Sequence, residues 1–352
     1  MIFTFNTSVL LIGVLIRSPR SPPSDVSAYV IIYRYRYISP YTYRIIMKYS
    51  DTDTSPDDLL IQRIDSKKKQ LDALRPLQED IVSQLLHDIR LRHTYHSDAI
   101  EGNTLTLQET RLVLEEGITI GGKPLKDHLE AQNDAEAFDL MVQMVQSKTP
   151  LTQDIIQRLH EVVTKGLLLD AGKYRTTNVR IVSSLTTPPD ASKIVSLMDT
   201  FLQKIQTKTR HPVHIAAFLH HEFVRIHPFL DGNGRVARLL TNLYLMQQGY
   251  PPIIVKKTDR KTYYQTLQLA DQGDLSPFIR FIARVVDESL MMYLSNVVSE
   301  ERLVPLKELA SYTRYSQEYL SLRARQGILD AVKIENVWYS SKRAIKEYLL
   351  KK

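Results

Sequence analysis

The stretch HPFLDGNGRVAR, residues 227–238, carries the most information in this sequence of 352 residues. An apolar run precedes it, and Pro228 is expected to end the helix that this run forms. Gly232 and Gly234 permit a tight turn whose backbone can approach a ligand closely. A new helix is predicted to begin near Gly234, where free N–H groups and the helix dipole form an anion site. The stretch therefore predicts two helices joined by an anion-binding loop.

The side chains of this stretch supply further chemistry. Asn233 adds a donor to the anion site, and Arg235 and Arg238 lie three residues apart on one helix face, where forked guanidiniums suit phosphate oxygens. Asp231 is an oxygen ligand suited to Mg²⁺, and His227 can accept a proton near neutral pH. A capped helix with surface arginines would explain any one of these residues. Together they are the parts needed to transfer a group from a nucleotide to a hydroxyl.

The stretch resembles the signature of the Fic family, His-Pro-Phe-x-Asp/Glu-Gly-Asn-Gly-Arg-x-x-Arg, at every specified position. The resemblance implies an all-α enzyme fold that transfers AMP from Mg-ATP to Ser, Thr or Tyr hydroxyls of proteins. It implies the following roles: His227 as general base, Asp231 as Mg²⁺ ligand, Gly232, Asn233 and Gly234 as the anion hole, and Arg235 and Arg238 as the grip on the outer phosphates.

A second motif lies upstream, where residues 97–103 read SDAIEGN. Ser97, Glu101 and Gly102 match the family's inhibitory-helix pattern, Ser/Thr-x-x-x-Glu-Gly/Asn. The resemblance implies that Glu101 pairs with Arg238 and keeps it from the γ-phosphate. The alternative is a solvated carboxylate at a helix end.

Two further segments resemble parts of the family, and the likeness covers about residues 80–297. GKYRTTNVRIV, residues 172–182, is similar to the flap that aligns a target by strand pairing; its candidate residues are Lys173, Tyr174, Arg175 and Thr176. KTYYQTLQLADQGD, residues 261–274, is similar to the segment beside the adenosine; Tyr264 is the first candidate for adenine contact, Tyr263 the second and Asp271 the third. Helix packing is the alternative for the tyrosines.

Periodicity predicts a mainly helical body. Pro76 should interrupt the helical run 57–90, and a second helix should reach Glu101. Thr106 and Glu109 have the spacing of a capping box, which predicts the start of another helix. The segment 170–190 is predicted to be a short β-hairpin or loop. The other predicted helices cover 126–146, 152–166, 191–206, 213–226, 234–248, 260–271 and 275–296. Periodicity therefore predicts an all-α domain with one flap, and the resemblance implies that this domain is a Fic fold with a β-hairpin flap. His220, His221 and Glu222 do not complete a zinc HExxH motif, because position 225 is Arg.

The net charge of +7 is unevenly distributed. Residues 1–50 and 301–352 each carry +5, whereas residues 51–300 hold 29 basic and 32 acidic side chains. This excludes the body as a basic nucleic-acid binder. The absence of cysteine excludes disulfides and Cys-based zinc sites. It fits a reducing interior, so we expect a cytoplasmic protein.

Residues 1–46 form a doubtful extension. The run MIFTFNTSVLLIGVLI has no charge before it and is short for a membrane span, which needs about 20 residues. A signal anchor and an extended arm are both open. The favoured interpretation is an over-extended gene start, with the working protein beginning at Met47. N-terminal helices then occupy 47–125 and the catalytic core 126–300.

Residues 301–352 are expected to form a separate module. VPLKELASY and SQEYLSLRARQG predict two helices, VKIENVWYSS a two-stranded wing around Glu335 and Asn336, and SKRAIKEYLL a final helix. The pattern resembles the winged helix-turn-helix of excisionase-like DNA binders. Arg323, Arg325 and Lys333 would contact phosphates. Docking of a protein remains the alternative.

The leading hypothesis is a protein adenylyltransferase that uses ATP and Mg²⁺ and is inhibited by Glu101. Its expected targets are hydroxyl groups of proteins, including those of the chain itself. The family resemblance also suggests that the chain forms a homodimer. The alternatives are an AMP-removing hydrolase, a phosphotransferase with reversed ATP, and a DNA-binding regulator that senses ATP.

Overall fold

The structure is a computed structural model that describes residues 10–12, 31–33, 56–180, 186–207, 209–334 and 336–350. In the N-terminal extension, β1 (Leu10–Ile12) pairs antiparallel with β2 (Ile31–Tyr33). The rest of the predicted extension lies outside the described residues, and the proposed start at Met47 stays a prediction. None of the described helices combines the length and the apolarity that crossing a membrane requires.

Ten α-helices make up the described part of the body between residues 56 and 297. They are α1 (Pro56–Ala73), α2 (Glu79–Glu101), α3 (Leu107–Glu115), α4 (Leu125–Gln146), α5 (Gln153–Val163), α6 (Ile194–Thr207), α7 (Pro212–Ile226), α8 (Asn233–Gln247), α9 (Arg260–Asp271) and α10 (Ser276–Val297). The predicted break at Pro76 is confirmed, because α1 ends at Ala73 and α2 begins at Glu79. The predicted capping box is also present: Thr106 accepts from the backbone of Glu109, and the Glu109 side chain accepts from that of Thr106.

The hydrophobic core surrounds α7 and α8, which pack against each other, against α4 and α5, and against α10. Along α7 the apolar side chains of Leu219, Phe223 and Ile226 are fully buried. Their spacing of four and three residues places them on one face, which turns inward. Because other helices pack on several sides of α7 and α8, both ends of the loop between them are fixed in position.

A β-hairpin and a loop were both open for the flap segment, and its described part is a loop. Residues 170–180 and 186–190 contain turns and extended loop but no strand, and residues 181–185 lie outside the description. Two features oppose a local ladder. Pro188 and Pro189 have no N–H to donate, and the guanidinium of Arg175 binds carbonyls on both sides of the segment.

The C-terminal module contains β3 (Val304–Pro305), α11 (Leu306–Ala310), α12 (Gln317–Arg325), β4 (Val332–Ile334), β5 (Val337–Ser340) and α13 (Lys342–Leu350). The strand order is β3-β5-β4, and all neighbours are antiparallel. The predicted helix over VPLKELASY is corrected at its start, since Val304 and Pro305 pair with β5. A residue before proline is disfavoured in the helical region. The module has its own small core, which includes Leu306, Leu320 and Ile345.

A buried ionic cluster attaches this module to the body. Lys67 of α1, which is 4% exposed, contacts Asp287 of α10 at 2.8 Å and Asp330 of the module at 2.7 Å. Arg63 contacts Asp287 at 2.6 Å. Burial alone would raise the pKa of Asp287, but Lys67 and Arg63 hold it below its usual value. Asp287 is therefore an ionised link between two cations.

Replacing Asp287→Asn should destabilise the protein strongly. The two cations would face Asp330 alone, and removing one partner of a buried ion pair costs about 3–5 kcal/mol. The matched control is Asp139→Asn, because Asp139 pairs with Arg90 at 2.7 Å and its side chain is 48% exposed. Loss of such an exposed pair should cost about 0–1 kcal/mol. Urea denaturation would measure both, and equal losses would contradict the role assigned to Asp287.

Candidate active site

The loop of residues 227–232 joins α7 to α8 and is shaped by its own polar groups. His227 ends α7 in the left-handed region (φ 51°), and Gly232 precedes α8 with φ 77°. The side chain of Asn233 accepts from the backbone N–H of Phe229 at 3.0 Å and donates to its carbonyl at 2.9 Å. The amide oxygen and one N–H of Asn233 therefore close the loop. An Asn amide carries a second N–H, and its donation to an anion stays a prediction.

His227 presents one free ring nitrogen. Its Nδ1 lies 3.2 Å from the carbonyl of Val224, so Nδ1 carries the proton and Nε2 carries the lone pair. Burial lowers the pKa of His227 below its ordinary value. The imidazole is therefore neutral at neutral pH and able to accept a proton.

The start of α8 is a preformed anion site. Helix geometry leaves the N–H groups of the first turn without acceptors inside the helix. Glu101, the last residue of α2, places its carboxylate beside this turn. A Cβ added to Gly234 would lie 2.2 Å from Glu101 Oε1. Gly234 is therefore required for the close approach of a carboxylate to the start of α8.

Arg238 joins the two helices at this point. Arg238 is 3% exposed. Its Nη2 donates to Glu101 Oε1 at 2.8 Å and to the carbonyl of Ser97 at 3.0 Å. Its Nε donates to Ser97 Oγ at 3.0 Å. The predicted Glu101–Arg238 ion pair is present. Burial opposes the charge, yet Glu101 raises the pKa of Arg238 above its ordinary value. Nη1 faces Gly234, and within the described part of the chain it has no hydrogen-bond partner.

Arg235 does not accompany Arg238. It is 2% exposed, and its guanidinium lies 3.5 Å from Glu130 and 3.9 Å from Asp231. Burial and then Asp134 raise the pKa of the adjacent Asp98 well above its usual value, whereas Arg235 lowers it. Arg235 lies between Glu130 of α4 and Asp231 of the loop, whereas Arg238 lies with Glu101. The grip of both arginines on outer phosphates stays a prediction.

Asp231 meets the requirement for one Mg²⁺ ligand. Its side chain is 58% exposed, and its Oδ1 accepts from the N–H of Gly232 at 2.6 Å. The described residues include no group of three or more acidic or histidine side chains that could hold a metal ion. Mg²⁺ is usually bound by one or two carboxylates together with substrate phosphates. The donor set therefore fits an ion shared with a nucleotide.

The three adenosine candidates have different environments. Tyr263 is 1% exposed, and its hydroxyl lies 2.7 Å from Nε2 of the buried His220. Tyr263 therefore belongs to the core, which agrees with helix packing as the alternative interpretation. Tyr264 is half-buried and lies under the guanidinium of Arg260 at 4.9 Å. Asp271 lies 2.9 Å from His221. Of the three, only Tyr264 keeps a partly exposed ring near Glu101.

The flap residues divide into two kinds. Lys173 and Thr176 are exposed, and Lys173 lies 3.7 Å from Asp170. Tyr174 packs its ring on Phe229 at 5.2 Å, and Arg175 is 3% exposed. Two of the four predicted residues therefore fix the flap to the catalytic loop.

Sequence reasoning missed His160. This α5 residue stacks on Phe229 at 3.7 Å, lies 3.0 Å from the carbonyl of Asp231 and accepts from the N–H of Gly172 at 2.9 Å. Burial lowers its pKa to about 4, so the ring is neutral. A single histidine on an amphipathic helix gives no signal of such a bridge.

Gly234→Ala should destabilise the protein only while Glu101 is present. The new Cβ would overlap Oε1 and break the contact with Arg238, at a cost of about 1–3 kcal/mol. In Glu101→Gly the same change should be neutral or stabilising by up to about 1 kcal/mol, because Ala favours helix. Urea denaturation of the four proteins measures this coupling. Gly121→Ala, with no atom within 4 Å of its Cβ, is the additive control. An unchanged cost in Glu101→Gly would refute the placement of Glu101.

Comparison with known proteins agrees with this geometry. The family model described as Fic/DOC family matches residues 150–245. The protein adenylyltransferase Fic of Nematostella vectensis is 36% identical over 243 residues, which are 68% of this chain and 57% of that protein. The Drosophila melanogaster protein of the same name is 35% identical over 253 residues, 70% of this chain and 50% of that protein. The chain thus spans about half the length of the curated relatives it matches.

Two solved structures extend the comparison. A Fic domain containing signaling protein from Bacteroides thetaiotaomicron has a TM-score of 0.63 and 28% identity, covering 68% of this chain and 98% of that one. Fic-1 of C. elegans, residues 134–508, has a TM-score of 0.63 and 30% identity, covering 69% of this chain and 73% of that one. Sequence, fold and catalytic loop agree, and the chain belongs to the Fic family.

Proposed function

We propose that this chain transfers AMP from ATP to hydroxyl groups of proteins and that Glu101 inhibits the transfer. The observation that carries the proposal is the neutral His227 beside a helix start where Glu101 occupies the anion position. The curated relatives are named protein adenylyltransferase, which supports the same reaction.

His227 Nε2 would take the proton of the target hydroxyl. The hydroxyl oxygen then forms a bond to the α-phosphorus of ATP, and the bond from that phosphorus to the bridging oxygen breaks. AMP stays on the target and pyrophosphate leaves. The lowered pKa of His227 keeps the base form available at neutral pH.

The phosphates would be held by groups that this chain supplies at the start of α8. The N–H groups of Asn233, Gly234 and Arg235 stabilise negative charge on the phosphates. Arg238 Nη1, which faces Gly234, is the cation placed to bind an outer phosphate. Asp231 would hold Mg²⁺, which neutralises the phosphate charge when bound. Tyr264 is the candidate contact of the adenine ring.

The inhibition follows from competition for one guanidinium. Glu101 is paired with Arg238, and its carboxylate fills the space beside Gly234. A phosphate could therefore enter only after the carboxylate leaves. An alternative role for Glu101 is to align a water molecule, which would make the protein an AMP-removing hydrolase. Transfer of the γ-phosphate, with ATP reversed, and ATP sensing without turnover are the remaining alternatives.

Glu101→Gly should transfer label from α-labelled ATP to proteins of a cell lysate or to itself, in the presence of Mg²⁺. The wild type should transfer little. Glu101→Gly/His227→Ala should lose about 10²–10⁴-fold of the activity, because a general base contributes about that factor. Incorporation is measured by autoradiography of gels.

The control is ATP labelled on the γ-phosphate, which should leave no label. Transfer of the γ-label would identify a phosphotransferase. The absence of transfer from every variant would overturn the proposal and direct attention to removal of AMP from modified proteins.

The C-terminal module supports a second role, because its element order fits a winged helix-turn-helix that binds DNA. The proposed recognition helix is α12, and the wing is the hairpin of β4 and β5. Arg314 and Arg323 lie over Tyr315 and Tyr319, and Arg325 is exposed on α12. Cations held against aromatic faces remain available to phosphates.

A labelled random-sequence duplex should bind with an affinity that falls steeply between 50 and 200 mM salt. Arg325→Ala should weaken binding and reduce the slope of log K against log salt by about 1, since one phosphate contact is lost. Fluorescence anisotropy measures both. Arg158→Ala, an exposed body residue paired with Glu161, should change neither. Weak binding that does not depend on salt would exclude the DNA role and leave protein docking.

A further inference from the structure

Arg175 is a buried cation whose hydrogen bonds go to backbone carbonyls. Only 3% of the residue is exposed. Its Nε donates to the carbonyl of His227 at 2.8 Å, Nη1 to Thr177 at 2.9 Å and Nη2 to Pro189 at 2.6 Å. Its backbone N–H donates to the carbonyl of Pro228 at 2.9 Å. One side chain therefore joins the two ends of the flap to the catalytic loop.

This arrangement differs from that of the other buried arginines at the site. Arg238 has Glu101 as its counter-ion, and Arg235 has Glu130. Among the described residues no carboxylate forms an ion pair with Arg175, and the nearby Asp190 acts on its charge only from a greater distance. Burying a charge without a counter-ion in contact is costly. The three carbonyl contacts of the guanidinium offset that cost only in this geometry, so the charge strongly favours one position of the flap relative to His227.

The backbone at His227 needs such support. A non-glycine residue at φ 51° is strained unless its surroundings hold it. Arg175 binds the carbonyl of His227 through its side chain and the carbonyl of Pro228 through its backbone. His160 forms a second bridge, from Gly172 before the flap to Asp231 in the loop. The flap and the loop are thus bound together at both of their ends.

We propose that Arg175 is a positioning residue that fixes the distance between the target segment on the flap and the free nitrogen of His227. The inference rests on the proposed function and concerns the target side of the same site. A groove of about 580 Å³ runs between Thr176 on the flap and Val195 on α6. Arg175 forms part of its wall, so a target chain lying there is held in register with the base.

Two consequences separate this role from a general contribution to folding. Loss of the Arg175 charge removes a cation beside His227 that lowers the pKa of the imidazole, so that pKa should rise. Loss of the forked guanidinium should displace the target segment from His227. A displacement near 1 Å lowers the rate of transfer by about 10²-fold. Nucleotide binding should be unaffected, because none of the four Arg175 contacts involves α8.

The test uses the full chain in the Glu101→Gly background with three variants. Arg175→Gln removes the charge and the fork, Arg175→Lys keeps the charge but not the fork, and Arg111→Gln removes an exposed cation of α3 as control. Proton NMR titration of His227 Cε1–H, calorimetry of ATP binding and transfer of α-label to lysate proteins are measured on each.

Arg175→Gln should titrate His227 at higher pH than the parent and lose about 10²-fold in transfer, with ATP affinity unchanged. Arg175→Lys should keep the parent titration and still lose transfer. Arg111→Gln should match the parent in all three measurements.

An unchanged His227 titration in Arg175→Gln, or parental transfer by Arg175→Lys, overturns the proposal. If Arg175→Gln does not fold, Arg175→Lys alone decides it through transfer with ATP affinity retained. If the parent itself transfers no label, the proposed function fails. Two measurements then still test the positioning role of Arg175. In Arg175→Gln the His227 titration should move to higher pH, and hydrogen exchange of the flap amides and the loop amides should become faster together.

Discussion

Arg238 carries its charge into the interior, and a guanidinium there must have partners. The last two turns of α2 supply them, through the hydroxyl and carbonyl of Ser97 and the carboxylate of Glu101. The position of α2 against α8 therefore follows from the need to neutralise one arginine. Because Gly234 leaves no side chain in the way, the same carboxylate also reaches the anion site. In the proposed function, inhibition and phosphate binding therefore depend on a single charge.

Much of the fold could be predicted because the decisive signals are local. Pro76 separates α1 from α2, and the reciprocal bonds of Thr106 and Glu109 begin α3. The catalytic loop was predictable from the order of Pro228 and the glycines, since each acts on its own backbone. The Glu101–Arg238 contact joins residues 137 positions apart. Only the resemblance to a family pattern suggested it.

The rest of the site depends on which side of a helix faces inward and on which atoms are already used. Tyr263 and Tyr264 are adjacent in α9, yet successive residues point about 100° apart, so one is core and the other borders the site. Arg235 and Arg238 share the motif but meet different acidic groups. Asn233 uses both polar atoms on the backbone of Phe229. Residue type predicts what a group can bind, and packing determines whether it remains available.

The C-terminal module is connected to α2 through the loop before α9. Lys256 donates to Glu288 at 2.6 Å and to the carbonyl of Lys333 in the module's hairpin at 3.3 Å. The next residue, Lys257, donates its N–H to His96 of α2 at 3.2 Å. Burial lowers the pKa of His96 to about 4, so its ring remains an acceptor at neutral pH. Arg260 then donates to the carbonyl of Ile100 at 2.7 Å, where a cation complements the end of a helix. Glu101 is therefore held by Arg238 on one side and, through α2, by a loop that also binds the module on the other.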